Sequence, residues 1–207
     1  MSSATPVLES IANGTCIVRN TASRPGRNWS VTPGPTAARH LHYGRIVLSA
    51  SDAPIDFNTA GLETGLIALK GSADVEVGGA TYAMTPYDAL YVPRDSGVRV
   101  RPGAGGCDFA EVAAPVERTH PVQFIPFAAV KTDSGLHFAA GGPSSKRELY
   151  VLMGKNVEAG RIMAGVTFSE HGNWTSWPPH EHGGPSSDRG TWPNSPAMLC
   201  VPRRISP

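Results

Sequence analysis

Residues 64–84 read TGLIALKGSADVEVGGATYAM, and their pattern decides the fold class. Val75 and Val77 alternate with Asp74 and Glu76, so one side of the segment is apolar and the other polar, the period of a half-buried strand. Gly78-Gly79 follows at once, a pair that accepts the positive φ of a tight hairpin, and ATYAM begins the returning strand. The same grammar repeats outward. GRIVLSA stands before this stretch and DALYVP, GVRVRPG and CDFAEVAAP stand after it, each a short apolar run bounded by turn residues. Val98 and Val100 alternate with Arg99 and Arg101 in the same way. Such a series predicts an all-β sandwich or barrel.

Composition agrees. Charged residues are 17% of the 207, below the roughly 25% of an average domain, while 23 Gly and 19 Pro exceed the usual combined share of about 12%. The net charge of +1 and the lack of any Lys/Arg-rich run exclude the electrostatic footprint of a nucleic-acid or anionic-membrane binder, leaving a small molecule as the expected partner. No segment approaches the roughly 18 apolar residues of a membrane span. The N-terminal MSSATPVLESIANGT has neither the basic region nor the apolar stretch of a signal peptide, so the expectation is a soluble, cytoplasmic protein. Cys16, Cys107 and Cys200 are odd in number and far apart, which argues against a disulfide framework and against a CxxC metal site.

The punctuation divides the chain. Residues 1–44 read as an irregular arm, because RPGRNWSVTPGP (24–35) has no strand or helix period. Residues 45–134 read as an N-terminal barrel and 135–147 as a Gly/Pro/Ser-rich linker. Residues 148–182 read as the start of a second barrel, with strands at Leu149–Met153 and Ile162–Phe168. Residues 183–207 offer no convincing strand and are expected to be disordered.

The candidate chemistry lies in SEHGNWTSWPPHEH, residues 169–182. In an extended segment His180 and His182 project from one side, and paired neutral imidazoles suit zinc, iron, nickel or manganese. Pro178 and Pro179 hold the approach extended, Trp174 and Trp177 could wall the site, and Glu181 points the other way. His40 and His42 repeat the spacing without this context and read as exposed or hydrogen-bonded histidines.

The string GNWTSWPPHEH (172–182) resembles the metal-binding segment of the 5-deoxyglucuronate isomerases of inositol breakdown, Gly-Asn-Trp-Ser/Thr-Ser-Tyr/Trp-Pro-Pro-His-x-His. The 4-deoxy-5-hexosulose-uronate isomerases of pectin breakdown share the paired histidines but not the approach. The order of turn, strand and Pro-containing turn in TPYDALYVPRDSG is likewise similar to half of a cupin, and the likeness extends over residues 15–182. It implies two cupin barrels, each a double-stranded β-helix of the RmlC-like jelly-roll type, the first without metal ligands. The second would hold one divalent ion, zinc or manganese, through two His, a Glu and a third His. The implied reaction is the aldose–ketose isomerisation of an open-chain uronic acid, 5-deoxyglucuronate, to 5-keto-2-deoxygluconate.

The sequence departs from that pattern after His182, where no His or Glu follows and Asp188 is the sole acid. Glu148, Glu158, Glu170 and His171 are the remaining donors nearby, and each reads as a solvated strand-end or turn residue. The expectations are therefore an incomplete second barrel, an interrupted gene or reading frame after His182, a weakly held ion and little isomerase activity. The general base is not identified by the sequence. The edge of Ile162–Phe168 is expected to stand open, favouring a homo-oligomer. A second class of function is a non-catalytic cupin that binds a sugar acid or assists assembly. A cupin-type transcription regulator is disfavoured, since no helix-turn-helix pattern or basic surface accompanies the barrel.

Overall fold

The computed structural model describes residues 18–36 and 38–174, together with the backbone of the strand Ala197–Arg204. Eight strands form the first sheet: β1 (Gly26–Val31), β2 (His42–Leu48), β3 (Ile55–Asn58), β4 (Leu62–Val77), β5 (Ala80–Met84), β6 (Ala89–Val92), β7 (Gly97–Pro115) and β8 (Gln123–Ile125). Their order is β1-β2-β7-β4-β6-β8, with β3 joined to β7 and β5 to β4. One short helix, α1 (Phe127–Thr132), leads to a second sheet of β9 (His137–Ala140), β10 (Arg147–Met153), β11 (Ile162–Ser169) and β12 (Ala197–Arg204), in the order β12-β11-β10-β9. β12 runs parallel to β11; the other pairs are antiparallel. No helix among the described residues is long and apolar enough to cross a membrane.

Two strands are longer than their punctuation suggests. TGLIALKG and ADVEVGG are consecutive parts of β4, and GVRVRPG and CDFAEVAAP are parts of β7. The glycines between them are corners, not ends. The β4–β7 ladder slips between Ala68 and Lys70 and again between Gly71 and Ala73. There Gly71 (φ +70°) lies so close to Gly106 (φ +73°) that a Cβ on Gly71 would collide with the Gly106 carbonyl. Glycine is required at such a bend because neither the dihedral nor the close approach tolerates a side chain. Gly78 and Gly79, both at positive φ, make the expected hairpin from β4 to β5.

Curling at these corners gives the first sheet an inside and an outside. Ile46, Leu66, Val75, Val77, Leu90, Val98, Val100 and Phe109 fill the inside. On the outside Ile67, Tyr91, Ala110 and Val112 meet Leu152, Met153, Ala164 and Val166 of the second sheet. The run GLIAL in β4 is continuous rather than alternating because it is covered on both sides. Each large apolar side chain so buried stabilises the fold by about 1.5–3 kcal/mol. Tyr87, Phe127, Tyr150 and Phe168 close one margin of the contact, with ring centroids 5.0 Å apart for Phe127–Tyr150 and 5.2 Å for Tyr87–Phe168.

The structure departs from the sequence reading in three segments. The arm at 1–44 carries β1, which pairs with β2 across a bulge between Trp29 and Val31. Its half-buried edge position leaves no alternation to read. The linker at 135–147 contains β9, hydrogen-bonded to β10 from Ala140↔Arg147 to His137↔Tyr150. The stretch after His182, read as strandless, contains β12. Its AMLCV is a continuous apolar run, and it lies along the edge of β11 that was expected to stand open.

Candidate functional site

His180 and His182 lie outside the described residues, as do Trp177, Pro178, Pro179 and Glu181. The structure does show where their segment departs. β11 ends at Ser169, and the chain turns through Gly172 at φ +85°. The Asn173 side-chain amide then donates to the Lys146 carbonyl (3.1 Å) and the Trp174 N–H donates to the Ser144 carbonyl (2.8 Å). The segment Gly172–Trp174, which precedes the paired histidines in sequence, is thus tied across the turn that joins β9 to β10.

Of the further donors weighed in the sequence, Glu148 is committed within the second sheet. Its Oε2 lies 2.8 Å from His137 Nε2, while His137 Nδ1 is 3.2 Å from the Lys131 carbonyl. A carbonyl only accepts, so Nδ1 is the side of the ring that donates to Lys131, and Nε2 faces the Glu148 carboxylate. The ring also stacks on Tyr150, with centroids 4.1 Å apart. Burial, and then the Glu148 charge, raise the Tyr150 hydroxyl pKa. Glu158 is exposed and stands 4.0 Å from His120. Glu170 and His171 are exposed in the turn after β11. Among the described residues no three His, Cys, Asp or Glu side chains converge to hold a metal ion. His42 donates from Nδ1 to the His40 carbonyl (3.2 Å) and sets its ring edge-on to Trp29.

The first barrel buries two glutamates that the sequence reading did not single out. Glu63 Oε1 accepts from the backbone N–H groups of Arg161 (2.5 Å) and Ile162 (2.8 Å). Its Oε2 accepts from the Gly160 N–H (2.7 Å) and the Tyr91 hydroxyl (2.8 Å). Burial, with Glu63 beside it, holds Tyr91 protonated far above the ordinary tyrosine range. Glu111, inside the barrel, meets the Arg27 guanidinium at 2.8–3.1 Å, and that cation also lies 3.9 Å from the Phe57 ring centroid. Burial raises the Glu111 carboxyl pKa while Arg27 pulls it down. The legible signal was a single carboxylate inside an apolar run, Glu63 in LETGLIAL and Glu111 in FAEVAAP. Cys107 is buried nearby, and burial pushes its thiol up to about 11, an unreactive state. An open cleft of about 400 Å³ beside the β4–β5 hairpin is lined by Asp56, Glu76 and Arg99. Both of these acids are engaged, Asp56 by Arg99 and Glu76 by Arg101.

The profile of the KduI/IolB family matches residues 16–191, most of the chain and all of the string that ends in the paired histidines. The chain belongs to the KduI/IolB family. A family relative from Geobacillus kaustophilus (strain HTA426), described as 5-deoxy-glucuronate isomerase, is 24% identical over 162 residues, covering 73% of this chain and 56% of its own. A second, from Geobacillus thermodenitrificans (strain NG80-2) and described alike, is 24% identical over 131 residues, 58% of this chain and 45% of its own. The chain spans about half the length of the curated relatives it matches. The solved structure of an IolB-like protein from Salmonella typhimurium LT2 superimposes with a TM-score of 0.60 at 16% identity, over 69% of this chain and 56% of that one. The KduI/IolB chain accordingly has the cupin jelly-roll fold.

Proposed function

We propose that this chain serves the isomerisation of 5-deoxyglucuronate to 5-keto-2-deoxygluconate in the cytoplasm, with His180 and His182 as its metal-binding pair. The observation that carries this reading is the string Gly172–His182, which lies within the matched family segment. The names of the two Geobacillus relatives support the substrate. A divalent ion, zinc or manganese, held by His180 and His182 would supply positive charge to the carbonyl and hydroxyl oxygens while a proton passes between the adjacent carbons that carry them. Two imidazoles fall short of the three protein donors of an open catalytic site, and the described residues hold no group of three such donors of their own. What these residues do is fix the approach, through the bonds of Asn173 and Trp174 to the β9–β10 turn. That shortfall favours a second reading, a sugar-acid binder of the same fold with little turnover.

Metal content and turnover test the proposal together. The purified chain should take up zinc weakly, lose it on His180→Ala/His182→Ala, and keep it on His40→Ala/His42→Ala. Uptake that depends on His40 and His42 instead would move the site. Turnover of 5-deoxyglucuronate that survives replacement of both His180 and His182 would remove the metal pair from the reaction.

A further inference from the structure

The edge strand β1 pairs with β2 alone and is interrupted by a bulge between Trp29 and Val31. Cross-strand partners share a side of the sheet, and Arg27 stands opposite Ile46 of the barrel interior, so its side chain enters that interior. There the guanidinium passes over β2 to Glu111 on β7, with Nε 2.9 Å from one carboxylate oxygen and Nη2 2.8 Å from the other. In register, Gly44 lies between Trp29 and Glu111. A Cβ on Gly44 would collide with the Asn28 carbonyl and the Trp29 ring, so glycine here is what lets that ring lie against β2.

The surroundings of this cation differ from those of the other paired arginines. Glu111 has no solvent exposure, whereas the carboxylates that meet Arg45, Arg94, Arg99 and Arg101 all keep some. Arg27 Cζ lies 3.9 Å from the Phe57 ring centroid and 4.9 Å from that of Trp29, inside the roughly 6 Å at which a ring face attracts a cation. Among the described arginines it alone lies over a ring. A buried carboxylate that accepts a two-pronged donor, with an aromatic face beside it, is the chemistry that recognises a flat guanidinium. The Arg27 side chain itself keeps 24% exposure, so the path it occupies leads to solvent.

We infer that Glu111 and Phe57 form a guanidinium site inside the first barrel, and that β1 closes the barrel by seating its own Arg27 there. The ligand class is a small planar cation. A sugar acid is excluded, because without Arg27 its carboxylate would face Glu111 as a like charge. In the intact chain a free cation competes with a tethered one at an effective concentration of about millimolar or above, so the site is filled from within.

Thermal unfolding of the full chain in about 20 mM guanidinium chloride, far below denaturing concentrations, against equal ammonium chloride tests the site. Guanidinium should raise the Tm of Arg27→Ala by about 2–4 °C, and ammonium, which brings charge without the fork, by under about 1 °C. Wild type, already filled, and Arg27→Ala/Glu111→Gln, which lacks the carboxylate, should respond to neither salt. Where Arg27→Ala does not fold unaided, the fraction refolded, read by far-UV circular dichroism, carries the same comparison, with guanidinium above ammonium. D-Glucuronate should raise the Tm of Arg27→Ala no more than that of wild type. Equal effects of the two cations, a guanidinium response that survives loss of the Glu111 charge, or glucuronate favouring Arg27→Ala over wild type overturns the inference.

Discussion

Glu63 and Glu111 lie on opposite sides of one sheet, each without solvent exposure, and the two sides accommodate a buried carboxylate in different ways. Outside, where the second sheet docks, Glu63 collects four neutral donors, three of them successive backbone N–H groups of Gly160, Arg161 and Ile162. Inside the barrel, Glu111 meets a countercharge, Arg27, on the edge strand β1. Preorganised neutral dipoles solvate an anion without requiring a second ion to be dehydrated, whereas an ion pair exacts desolvation from both partners. The first arrangement joins two sheets; the second fastens one edge strand.

Glu63→Ala should therefore have the largest effect, about 3–5 kcal/mol, because it strands four donors in an apolar interface. Urea unfolding would measure it, and hydrogen exchange should show β10 and β11 losing protection while β4 and β7 keep theirs. A cost below that of Arg27→Ala would abolish the contrast. Arg27→Ala should cost about 2–4 kcal/mol by leaving Glu111 buried and unpaired. Most of that should return in the double variant Arg27→Met/Glu111→Leu, which removes both charges and keeps apolar volume against Phe57. A double variant no better than the single one would locate the loss in packing instead.

The smallest effect is a pH dependence confined to the barrel interior. Burial holds the folded-state pKa of Glu111 above its ordinary 4.5, against the opposing pull of Arg27. A raised acid favours the protonated fold, so its contribution is complete below 4.5 and is lost as pH rises through the raised value. The stability of Glu111→Gln relative to wild type should accordingly improve as pH increases from about 4 to about 7. A difference flat across that window would mean that the pair compensates burial in full.

Most of the first sheet was legible because alternation and turn chemistry are local. Val75, Val77, Val98 and Val100 all face the barrel interior, as their phase against charged neighbours predicts, and DALYV contains the whole of β6. What escaped depends on partners distant in sequence. Gly71 looks like the end of a strand until Gly106 is placed against it. Trp29 and Arg27 look like loop residues until β2 supplies their register and Glu111 their charge. At the candidate site, the string Gly172–His182 marked the family and its approach. Glu63 carried no motif, since its four donors gather only when the second sheet docks on the first.

The bonds to Glu63 also set an order of events during synthesis. Gly160, Arg161 and Ile162 lie 97, 98 and 99 residues beyond Glu63, so on the ribosome every strand of the first sheet emerges before the backbone donors that its outer carboxylate requires. Until they arrive, Glu63 must draw its remaining hydrogen bonds from water, and the apolar surface around Tyr91 and Ile67 stays uncovered with it. The nascent barrel is consequently most exposed to wrong partners during the interval in which residues 116–162 are being made, and arrival of the Gly160–Ile162 loop ends that vulnerable period.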